Sequence, residues 1–185
     1  MATDDNAAWT FDAADGELTL HTGVAGRAAR MGHRLTIAMT RWQATVNWHD
    51  GQPDTANVVV EVDSFDVLRG EGGVKGLSGP EKALVRSNAL KSLSANRFPE
   101  IRFDTDSIEK TDDGYRLNGK LQIRGKERDH SVDLHTEELA DSWRLSLQST
   151  VRQSDFGIKP YSLLMGSLQV ADDVTVSFTA TRPKA

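Results

Sequence analysis

Five histidines, His21, His33, His49, His130 and His135, and a few close carboxylate pairs are the residues of this chain whose types could do chemistry. A metal site or an acid–base pair needs such side chains on one face and within reach of each other. His130 and His135 are five positions apart, so on a single strand they face opposite sides and cannot share an ion. His21 and His135 fall on the polar parity of their segments and read as solvated surface groups. His33 shares the parity of Leu35 and Ile37 and is the one histidine expected to face an interior, as a ligand contact at a rim. Asp112-Asp113 and Asp172-Asp173 sit at turn signals, where aspartate bonds its own backbone. Asp155-Phe156-Gly157 beside Arg152 could hold an interior charge, but a turn that ends a strand accounts for the aspartate and glycine equally well. No nucleophile elbow, Ser/His/Asp grouping or metal-ligand spacing stands out. No catalytic residue, metal or cofactor is therefore assigned, and the chain is expected not to be an enzyme.

One further stretch invites a chemical reading. Gly70-Glu71-Gly72-Gly73-Val74-Lys75-Gly76-Leu77 is dense in glycine, but it lacks the spacing of a phosphate cradle and the strand–loop–helix setting of a dinucleotide site. Ser78-Gly79-Pro80-Glu81 then opens a helix with serine at the N-cap and glutamate three residues on. Ala83, Leu84, Val85, Ala89, Leu90 and Leu93 give it an apolar stripe, and it should end before Pro99. The glycines read as a flexible connection that lets this short helix lie across the end of a barrel.

The elements that must position any site are strands. Apolar and polar residues alternate with a period of two through Leu18 and Leu20, through Leu35, Ile37 and Met39, and through Val58, Val60 and Val62. The pattern continues at Ile101 and Phe103, at Tyr115 to Ile123, at Val132 and Leu134, at Trp143 to Val151 and at Val174 to Phe178. Side chains on a strand point alternately to opposite faces, so each segment has one apolar and one wet face. Turn signals at Asp50-Gly51, Asp113-Gly114, Gly125-Lys126 and Asp141-Ser142 favour hairpins. The expectation is an all-β fold, an eight-stranded antiparallel up-and-down barrel of lipocalin type with a short helix covering one end.

Composition fits one such domain. The 185 residues carry a net charge of −5, from 22 basic and 27 acidic side chains, with no cationic stripe. This argues against nucleic acid, and against an anionic membrane surface, as the main partner. With no cysteine, neither disulfides nor thiolate chemistry is available. Residues 1–8 are expected to form a disordered tail and residues 9–182 a single barrel domain. The acidic start Met1-Ala2-Thr3-Asp4-Asp5-Asn6 is unlike a secretory signal, and no run reaches the ~18 apolar residues of a membrane span, so the chain as written is expected to be cytoplasmic, or periplasmic or secreted if a signal was removed.

Four stretches carry a family likeness. Phe98-Pro99-Glu100-Ile101-Arg102-Phe103 after a short helix, then Gly114 to Gly125, then Arg152-Gln153-Ser154-Asp155-Phe156-Gly157-Ile158, and finally Asp172-Asp173-Val174-Thr175-Val176 occur in one order. In order and spacing they resemble the YceI-like polyisoprenoid-binding proteins, from about residue 30 to residue 180. The chain departs from that pattern in the charged run Lys126-Glu127-Arg128-Asp129-His130, where relatives commonly have a neutral turn. The resemblance implies a lipocalin-like barrel whose long apolar tunnel carries or sequesters one linear lipid, a polyisoprenoid or an isoprenoid quinone.

On that reading the apolar parity of the strands lines the tunnel: His33, Leu35, Ile37, Met39, Ile101, Phe103, Leu121, Ile123, Leu145 and Leu147. Phe156, Ile158, Tyr161, Leu163, Leu164 and Met165 are expected to line its mouth. Trp42 and Trp48 fit a structural girdle as well as a ligand contact. Family analogy and exposed strand edges admit a homodimer. Two other readings stay open, a lipocalin-like enzyme acting on an apolar substrate and a protein-interaction module with a filled core.

Overall fold

The computed structural model describes residues 7–184. Among these described residues twelve strands form one sheet, in which every pairing is antiparallel. They are β1 (Ala8–Asp12), β2 (Gly16–Ala25), β3 (His33–Met39), β4 (Trp42–His49), β5 (Gln52–Glu61) and β6 (Phe65–Gly72), then β7 (Glu100–Thr111), β8 (Gly114–Ile123), β9 (Lys126–Glu138), β10 (Ser142–Arg152), β11 (Ser162–Leu163) and β12 (Leu168–Pro183). The helix α1 (Gly79–Ser92) lies between β6 and β7.

The all-β, antiparallel expectation stands, but the closed eight-stranded meander does not. The order is β1-β4-β5-β7-β8-β9-β10-β12-β2-β3-β6, with β11 paired to β12, so the sheet curls into an incomplete barrel whose end strands, among the described residues, are β1 and β6. The four strands beyond the expected eight are β1, β4, β6 and β11. Of the expected tail, residues 1–6 lie outside the described residues. Ala8 already pairs with Asn47, and the Ala7 carbonyl oxygen accepts from Trp48 N, so ordered structure begins within the stretch assigned to the tail.

A sheet edge with unpaired carbonyls invites pairing with another chain. Here α1 covers that of β6. Arg86 donates from Nε to the Phe65 carbonyl oxygen at 2.8 Å and from Nη2 to that of Asp63 at 2.5 Å, and Lys82 Nζ reaches the Leu68 carbonyl at 2.8 Å. The helix starts where the sequence says it must: Ser78 Oγ accepts from Glu81 N, and Glu81 Oε2 accepts from Ser78 N at 2.7 Å. It then spans the barrel end. Leu77, just before it, sits over Gly70, where a Cβ would come within 2.6 Å of Leu77 Cδ1 and force the two apart. Leu93, just after it, packs against Leu121, Ile123, Phe156 and Ile158.

The alternating pattern sorts the side chains as the pleat requires. On β8, Leu117, Gly119, Leu121 and Ile123 are buried while Arg116 is exposed. The larger core cluster fills the region around Phe11, Ile37, Met39, Trp42, Phe65 and Leu145. Trp42 meets Phe178 edge to face at 5.3 Å. Trp48 instead lies tilted against Trp9, with ring centroids 4.7 Å apart.

Candidate functional site

The inner faces of these strands and one face of α1 surround a cavity of about 670 Å³, within the range of ~300–1,000 Å³ common to small-molecule sites. Most of its wall is apolar. The strands contribute Leu20, Leu35, Val58, Ile101, Leu121, Leu134, Leu147 and Val176, and the helix contributes Leu84, Val85 and Ala89. Leu117, Leu121, Ile123 and Leu145 are buried, so much of the wall is also the core of the protein.

Fourteen of the sixteen residues singled out from the sequence line this one cavity. They are His33, Leu35, Ile37, Met39, Ile101, Phe103, Leu121, Ile123, Leu145, Leu147, Phe156, Ile158, Tyr161 and Leu163. Trp42 joins them, with its indole Nε1 buried and unpartnered, and Trp48 does not. Leu164 and Met165 fall outside, which corrects the expectation for the mouth. Both take left-handed backbone angles, φ 51° and 56°, in a 3-10 turn at the tip of a loop, and both side chains are exposed. Phe156 and Ile158 are buried with Leu121 and Ile123 in a second core cluster, so they pack as a plug within the wall.

His33 lies at the rim, as its parity implies. Its Nε2 donates to the Lys75 carbonyl oxygen at 2.6 Å, so its proton is on Nε2. Close by, Glu81 is held below the usual carboxylate range, first by the Ser78 backbone N–H that it accepts and then by the Ser78 side chain. The glutamate is thus engaged in capping the helix.

The sequence reading missed His130. Its ring enters the cavity wall, sits edge-on to Phe103 at 6.3 Å and has Nε2 2.9 Å from Ser149 Oγ. Loss of water lowers its pKa below the ordinary 6.5. The signal was available, because His130 has the parity of Val132 and Leu134; the charged run from Lys126 hid it by resembling a turn. The contact also spans a weak seam. The ladder between β9 and β10 has only four residue pairs, ending at Ser146 and His135, whereas β10 and β12 share eleven. Beyond those four, the His130–Ser149 contact bridges the two strands, and past their ends Arg124 Nη1, in the turn before β9, donates to the Gly157 carbonyl oxygen, after β10, at 2.6 Å.

The other histidines sit elsewhere. His21 lies 3.3 Å from Thr19 Oγ1, and the exposed rings of His49 and His135 lie beside Asp50 and Asp113. Among the described residues no group of three or more histidine and carboxylate side chains could hold a metal ion. Among the same residues no helix is long and apolar enough to cross a membrane.

Comparison with known proteins matches residues 9–181 to the model of the YceI-like domain. No curated protein matches the chain. Among solved structures, BcnA of Burkholderia cenocepacia superposes with a TM-score of 0.70 at 17% identity, covering 92% of this chain and 98% of its own. The Campylobacter jejuni YCEI protein superposes with a TM-score of 0.59 at 17% identity, over 80% of this chain and 84% of its own. At these identities the likeness speaks for the fold.

Proposed function

The chain belongs to the YceI-like family, and on that premise we propose that it binds and carries, without catalysis, one long linear apolar lipid of the polyisoprenoid or isoprenoid-quinone class. The observation that carries this reading is the cavity itself: about 670 Å³ with an almost wholly hydrocarbon wall. Water in such a space finds few partners, whereas a hydrocarbon chain loses its own contact with water on entering. Transfer is worth roughly 0.8 kcal/mol per methylene, so a five-carbon isoprene unit contributes on the order of 3 to 4 kcal/mol before the costs of ordering. A few units therefore hold a ligand without any ionic contact.

Non-catalytic carriage fits the scarcity of reactive groups. Among cavity-lining side chains, Glu81 is tied to the helix cap and His33 to a backbone carbonyl. His130, with the Ser149 hydroxyl as its partner and no carboxylate among the described residues to orient it, is poorly placed as a base. The test is an organic extract of the purified protein analysed by mass spectrometry. A linear isoprenoid lipid in near-stoichiometric amount is expected. An extract free of apolar molecules, from protein that also takes up no added polyisoprenol, would end the proposal.

A further inference from the structure

We infer that the cavity mouth is a docking surface for an anionic lipid bilayer, built from three loops that insert apolar side chains between phosphate-binding cations. The loops belong together: Ala28 N donates to the Ser167 carbonyl at 2.8 Å, Gly32 abuts Leu168, and His33 holds the Lys75 carbonyl. Met31, Leu84, Tyr161 and Leu163 each line the cavity and also face solvent, at 54%, 62%, 41% and 50% exposure. Hydrocarbon wall thus runs unbroken from the interior onto the outer surface. Leu164 and Met165 extend it outward. Two successive non-glycine residues in the left-handed region turn their side chains away from the protein, which is unfavourable in water unless something else receives them.

Charge says what receives them. Residues 26–34, 69–81 and 159–168 contain Arg27, Arg30, Arg34, Arg69, Lys75 and Lys159 against Glu71 and Glu81, six cations to two carboxylates in a chain of net charge −5. Glu71 is paired with Arg69, and Glu81 caps α1. Behind the rim, Asp172 is bonded by Ser154 and Asp173 by Arg152. The hairpin turns at the opposite end of the strands carry Asp50, Asp112, Asp113 and Asp141 instead. The overall negative charge is therefore an average over two unlike ends, and an anionic surface would orient the molecule with its mouth inward. Apolar tips ringed by arginine and lysine are the composition of an interfacial anchor. Such docking lets a lipid pass between bilayer and cavity without crossing water.

The surface extends the reading of the cavity as a lipid site, but the two fail separately. The full chain is sedimented with vesicles of phosphatidylglycerol and phosphatidylcholine, and its cavity contents are measured apart by extraction. The parent is expected to sediment with the mixed vesicles and far less with phosphatidylcholine alone. Leu164→Ser with Met165→Ser, outside the cavity lining, should reduce partitioning roughly tenfold while leaving the extract unchanged. Arg27→Glu with Arg30→Glu should cost about fivefold for each cation lost. Because the chain has no cysteine, a Met165→Cys variant takes a single environment-sensitive fluorophore, whose emission should shift to the blue on addition of mixed vesicles. A parent that stays in solution, a serine variant that sediments like the parent, or a label that does not shift would each overturn the inference. Sedimentation with an empty extract would uphold docking and remove carriage.

Discussion

His130 gives up water for an apolar wall and one hydroxyl partner, so its charged form is disfavoured in the folded chain. The unfolded chain takes up this proton near 6.5, the folded chain only at lower pH. This contribution to stability is complete above pH 6.5 and is lost as pH falls from there toward the folded value. The melting temperature of the parent should therefore drop more steeply on acidification below 6.5 than that of His130→Phe, and parallel curves would contradict the account. Volume gives a second residue-scale prediction. Leu147→Trp places a larger ring in the cavity, so lipid retention should fall severalfold; because the ring fills space already open, its cost should be below the ~1–3 kcal/mol of overpacking a dense core. The apolar parity of Leu35, Ile37, Leu121 and Leu147 made this wall readable in the sequence, since burial on a pleated strand repeats every second residue. Leu164 and Met165 were not readable, because their outward turn comes from backbone angles that hydropathy does not encode.

The β6 edge and its helix belong to the next scale. Ser78→Ala removes the side-chain acceptor at the N-cap and should cost about 1 kcal/mol, measured by denaturant unfolding. Lys82→Met with Arg86→Met keeps the helix-forming side chains but uncovers the carbonyls of Phe65, Asp63 and Leu68. That variant should associate through the bared edge, as light scattering would show, while a monodisperse variant would mean that the helix guards no edge. The capping box at Ser78 and Glu81 was legible because its signal is local. β4 shows the reverse: Trp42, Ala44, Val46 and Trp48 alternate as a strand should, yet the tryptophans alone drew notice. β1 is five residues long, and β3 lies beside β6 through contacts about thirty residues apart in sequence. Such pairings depend on the whole chain, which is why the strand order and the open edges could not be read from periodicity.

At the scale of the molecule, one curved sheet wraps a hydrocarbon-walled space, a helix spans its end, and a cationic, apolar rim surrounds its mouth. The proposed carriage of one long apolar lipid accounts for these parts together. Native mass spectrometry of the purified chain tests this directly. Carriage predicts a population heavier than the 20.3 kDa chain by the mass of one isoprenoid lipid, converting to the bare mass on mild activation. A bare mass alone, before and after incubation with polyisoprenols of several lengths, would contradict it.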